Sequence, residues 1–101
     1  MKHKTANLTS AEDMHHKYGA RFWCPSLDPD SRAALDRLRQ GDHVKVCHSG
    51  ERFWCLIVSR EGAEFSATVD NDLALSPLNY GDRLRVQERH IYDYLLQEQD
   101  A

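Results

Sequence analysis

Three cysteines and six histidines give this 101-residue chain enough thiol and imidazole groups for a metal site or a nucleophile–base pair. Metal binding needs such groups at spacings that let them converge. The candidates are His15, His16, Cys24, Cys47, His48, Cys55 and His90. They include no Cys-x-x-Cys pair and no two histidines one helical turn apart. Cys47 and His48 are adjacent, so a strand sends them to opposite faces. The spacing therefore argues against a metal centre, and no cofactor is expected. Nucleophilic catalysis needs a Cys or Ser held beside a base and an orienting group. No cysteine lies in a recognisable nucleophile elbow, so no catalytic residue is assigned. The five glycines are scattered one per turn, which leaves no phosphate-cradling loop.

Basic side chains offer a different chemistry. Lys45, Arg83 and Arg85 alternate with Val44, Val46, Leu84 and Val86, so on strands they point away from the apolar face. Were the two segments to lie together, these cations would form a positive stripe, with Arg52 and Arg60 near it and Trp54 and Tyr80 bordering it. Such a stripe suits an acidic peptide or a single-stranded nucleic acid. The bland alternative is a solvated strand face whose cations pair with Glu64, Asp82 or Glu88. A net charge of -3 and a pI near 6.0 count against general nucleic-acid binding, which rests on an excess of Lys and Arg.

The elements that position these residues are marked by a repeat. Gly41-Asp42-His43-Val44-Lys45-Val46 is echoed by Gly81-Asp82-Arg83-Leu84-Arg85-Val86. Each copy reads as a Gly-Asp turn feeding a half-buried strand. Strands are expected over 42–48, 53–59, 64–69 and 83–88, the second apolar on both faces and therefore central. Short strands at this spacing predict a small antiparallel β-barrel of SH3-like size in an α+β domain. Residues 1–8 are expected to be disordered, 9–40 to form a helical segment, 41–90 the barrel and 91–97 a short C-terminal helix. Within 9–40, Ser10 or Thr9 caps a helix ended by Gly19, and Asp28-Pro29 starts a second that Gly41 ends. Arg21 to Pro25 reads as an apolar plug across the barrel. One domain accounts for all 101 residues.

From Leu38 onward the chain resembles the YegJ-like bacterial domain of unknown function. The resemblance rests on Gly41-Asp42-x-Val44-Lys45-Val46, Glu51-Arg52-x-Trp54, Asp70-Asn71-Asp72, Tyr80-Gly81-Asp82 and Arg89-His90-Ile91. It departs where Cys55 stands in place of the usual aliphatic residue after the Trp. The resemblance implies a β-rich bacterial domain and no particular activity.

The expected function is a non-catalytic interaction module of the bacterial cytoplasm that binds a protein or peptide. The odd cysteine count fits a reducing compartment, and residues 1–20 contain no apolar run that reads as a signal peptide or membrane span. Candidate binding residues are Glu51, Arg52, Trp54, Asn71, Arg89, His90, Lys45, Arg83 and Arg85. The alternative is a small-molecule or enzymatic pocket around Glu51, Trp54, Asn71 and His90. A weaker one is single-stranded nucleic-acid binding through Lys45, Arg83 and Arg85. His90 is expected to hydrogen-bond the Asp70-Asn71-Asp72 turn or Glu51.

Overall fold

The computed structural model describes residues 2–97. Helix α1 (Ala11–Tyr18) is followed by 3-10 turns at Pro25–Leu27 and Pro29–Ser31 and by helix α2 (Arg32–Arg37). Then come β1 (His43–His48), β2 (Glu51–Glu61), β3 (Glu64–Val69), β4 (Arg83–Gln87), a 3-10 turn at Glu88–His90 and β5 (Asp93–Leu95). The strands form one antiparallel sheet in the order β4-β3-β2-β1-β5.

The repeated phrase builds the same device twice. Gly41 and Gly81 adopt φ of 97° and 87°, which an L side chain resists. The Asp42 carboxylate accepts from the Arg39 N–H at 3.1 Å, and the Asp82 carboxylate accepts from the Asn79 N–H at 2.8 Å. Each loop then grips a neighbouring strand. Gly41 N–H donates to the Ile57 carbonyl at 3.0 Å, and Gly81 N–H donates to the Val69 carbonyl at 2.8 Å. Beyond the loops, Val44, Val46, Leu84 and Val86 are buried together with Phe53, Cys55, Ile57, Phe65, Ala67 and Val69. Leu35 and Leu38, at the end of α2, cover this core.

The sheet is open, which corrects the expected barrel. β4 and β5 lie at its two edges, and the N-terminal segment runs from β4 to β1. Lys4 N–H donates to the Arg83 carbonyl on β4 at 2.7 Å, and Thr9 N–H donates to the Cys47 carbonyl on β1 at 2.9 Å. Between these anchors Ala6 and Leu8 pack on the core. Residues 2–8, expected to be disordered, therefore run as an extended strap, because the open sheet leaves apolar surface for them to cover.

The expected helix over 91–97 is also corrected. Asp93–Leu95 is β5, paired with His43–Lys45, and Tyr92 N–H donates to the Lys45 carbonyl at 2.8 Å. An isolated helix of so few residues is marginal, whereas the free edge of β1 offers partners for the backbone. The second helix is shorter than expected: Leu38 leaves the helical region at ψ 132°. The plug reading of residues 21–25 fails in part. Cys24 and Pro25 are buried, but Trp23 is 43% exposed. Cys24 joins Ala11, Cys47 and Tyr92 in a second small core apart from the main one.

Strand β2 carries the irregularity that matters most. Its pairing with β3 slips between Ile57 and Ser59, so Val58 is an extra residue. A bulge reverses which face each later side chain takes. Arg60 thereby leaves the outer face expected for it. Its guanidinium lies 4.7 Å from the centre of the Phe65 ring and donates to the Leu35 and Leu38 carbonyls at 2.6 and 2.9 Å. It also meets Glu88, which Arg32 grips with two further bonds.

Candidate functional site

Glu51, Trp54 and Asn71 gather around the loop that follows β3. The Glu51 carboxylate accepts from the N–H groups of Ala74, Leu75 and Ser76 at 2.7–3.0 Å. These donors hold its carboxyl below the ordinary range. The Asn71 side-chain oxygen accepts from the Trp54 backbone N–H. Both polar groups are engaged in holding the loop.

His90 does not join them. Its Nδ1 accepts from the Gln87 N–H at 3.0 Å, and the Gln87 side chain accepts in return from the His90 N–H. This corrects the expected bond to Asp70-Asn71-Asp72 or Glu51. Glu88 N–H donates to the Ala63 carbonyl at 3.2 Å, which places the turn at the β2–β3 hairpin, the opposite end of β2 from Glu51. Burial holds the imidazole below its ordinary pKa, helped by the charge of Arg89. Arg89 itself donates to the Gln87 side-chain oxygen at 2.9 Å and is exposed.

The expected basic stripe is divided. β1 and β4 are separated by β2 and β3, so Lys45 stands three inter-strand spacings, roughly 14 Å, from Arg83. Lys45 instead sits over Trp54, its cross-strand partner, with Nζ 4.9 Å from the ring centre. His43, which the sequence did not single out, donates to Asp70 at 2.7 Å and turns its ring edge-on to Trp54. An Asp-oriented imidazole can act as a base, but the nearest thiol in sequence register, Cys55, faces the core. Burial pushes that thiol up to about 12, with Asp70 adding to the effect, so it is inert at neutral pH.

A partly exposed aromatic surface comes from residues that sequence reasoning buried. Ser10 caps α1 by accepting from the Asp13 N–H, and Gly19 ends the helix at φ 85°. His15 then donates to the Phe22 carbonyl at 2.8 Å, which fixes the loop beyond. Tyr18 and Phe22 pack at 5.2 Å between ring centres. The Arg21 guanidinium covers both, and Arg52 lies over Phe22 at 5.7 Å and over Tyr92 at 4.6 Å. Trp23 rests 6.0 Å from Tyr94 and donates its indole N–H to Asp28 at 3.0 Å. That bond, with two others from Asp30 and Ser31, keeps the Asp28 carboxyl low and charged. Beside Trp23 and Leu27 is a shallow cleft of about 250 Å³. The signal was present in the sequence as two cations and three aromatics between Lys17 and Trp23. It does not reveal which rings are left outside.

Among the described residues, no group of three His, Cys, Asp or Glu side chains is arranged to hold a metal ion, and no helix is long and apolar enough to cross a membrane. No protein-family model, curated protein or solved structure matches the chain.

Proposed function

We propose that this chain is a non-catalytic interaction module of the bacterial cytoplasm, and that it binds an acidic protein partner through the aromatic–arginine surface of residues 17–27, Arg52 and Tyr94. The observation that carries the reading is Trp23, which is 43% exposed yet held by Asp28 on one side and Tyr94 on the other. Binding hot spots are enriched in Trp, Tyr and Arg, and a ring already fixed loses little entropy on docking. Lys17, Arg21 and Arg52 make the Tyr18–Phe22 side of the surface cationic, which favours a partner of opposite charge there, while Asp28 is the charge beside Trp23. Membership of the YegJ-like domain is part of the proposal. It is supported by the structural use of the residues behind the resemblance: Asp42 and Asp82 fasten their loops, and Asn71 fastens the loop after β3. The enzymatic alternative lacks support, because Glu51 and Asn71 are spent on backbone N–H groups and His90 lies elsewhere.

The test compares cross-linked partners of the full chain with those of Trp23→Ala, Arg52→Ala and the exposed control Tyr80→Ala. A partner retained by the control and lost by both other variants, at unchanged melting temperature, is the expected result. A partner lost with Tyr80→Ala and kept by the others overturns the assignment.

A further inference from the structure

At the β4 edge of the sheet the N-terminal strap flanks a second feature. A cleft of about 550 Å³ lies between them, with Lys2, His3, Lys4 and Arg85 in its wall and no acidic residue among the described residues. An adjoining cleft of about 250 Å³ shares His3 and Arg85 and is also lined by Arg83, Glu61 and Glu64. This concentration of cations occurs in a chain whose net charge is -3. Within it the Arg83 Nε–H is buried and has no hydrogen-bond partner among the described residues. A buried guanidinium donor without an acceptor is unfavourable, and Arg83 lines the smaller cleft beside Arg85.

We infer that a small phosphorylated ligand binds where the two clefts meet, with Arg85 and His3, which line both, as its central contacts, Arg83 reaching it from the smaller cleft and Lys2 and Lys4 from the strap. A phosphate group matches the site better than a carboxylate, since it carries more charge and more acceptor oxygens for several cations at once. Among the described residues Glu61 and Glu64 are the acidic groups in the way, and Glu64 lies 3.7 Å from Arg85, with the two side chains 47% and 69% exposed. An ion pair that long and that wet releases its arginine readily. A nucleic-acid strand fits less well. Such strands bind on exposed aromatic platforms, whereas Phe65 beside the cleft is buried and Trp54 lies across the sheet with Lys45. The volume is that of a small-molecule site.

The experiment titrates the isotope-labelled full chain with inorganic phosphate and with pyrophosphate, following amide resonances at constant ionic strength set with sodium chloride. Saturable shifts at His3, Lys4, Leu84 and Arg85 are expected. Arg83→Gln and Arg85→Gln should each weaken binding at least tenfold, while Lys45→Gln leaves it unchanged. Arg85 is exposed, so Arg85→Gln remains informative should Arg83→Gln fail to fold. Shifts that do not saturate, that sodium chloride reproduces, or that survive Arg85→Gln overturn the inference. So does an oligothymidylate that binds more tightly than pyrophosphate and quenches Trp54.

Discussion

Arg60→Met removes the fastening that the β2 bulge creates. The guanidinium donates to two carbonyls at the end of α2, to the Gly62 carbonyl and to Glu88, with its side chain only 20% exposed. A hydrogen bond to a charged group contributes about 1.5–3 kcal/mol when well shielded. Partial solvent access and non-additivity lower this to about 1 kcal/mol for each of the bonds to Leu35, Leu38 and Glu88. The expected loss is therefore about 3 kcal/mol. In a domain of this size that is a fall in melting temperature of roughly 12–24 °C. Arg60→Lys should recover only part of it, since an ammonium cannot fork between the carbonyls. Urea denaturation followed by tryptophan fluorescence measures the change, with an unaltered m-value as the check on two-state behaviour. The control is Arg85→Met, an exposed change on β4 expected to cost under about 0.5 kcal/mol. If Arg60→Met matches this control, then Arg60 is on the outer face, the bulge at Val58 is absent and the reasoning fails.

Two further predictions concern the turns. Gly81→Ala should cost about 1–2 kcal/mol through its φ of 87° alone, because no atom of the described residues stands within 4 Å of an added Cβ. Gly81→Asn should cost less, and equal melting temperatures for all three proteins would contradict this account. His90 predicts a pH dependence. Its folded pKa lies below the ordinary 6.5, so the unfolded chain binds the proton more readily and stability falls as pH drops below about 6.5. Protonating Nδ1 also removes the acceptor for the Gln87 N–H. His90→Asn should flatten the dependence of the urea midpoint between pH 7.5 and 5.5; an unchanged slope would falsify the assignment.

What the sequence determined by itself is what local chemistry dictates. The Gly-Asp phrases announced two turns and two strands, since a positive φ and a short carboxylate beside it have few other uses. Alternation chose the buried faces of Val44, Val46, Leu84 and Val86, and composition made β2 central. Ser10 and Gly19 delimited α1. The remainder depended on partners distant in the chain. Whether residues 91–97 coil or pair was decided by the open edge of β1, and whether residues 2–8 order was decided by the gap between β4 and β1. The bulge at Val58 has no marker among its neighbours, yet it moves Arg60 from the outer face to the end of α2. The stripe of Lys45, Arg83 and Arg85 was divided by sheet order, which alternation does not encode. The rings of Phe22 and Trp23 read as core because hydrophobicity is a property of the residue. Their exposure is a property of the assembled surface, set by the loop that Gly19 and His15 fix and by the Tyr94 and Arg52 side chains that meet them from other strands.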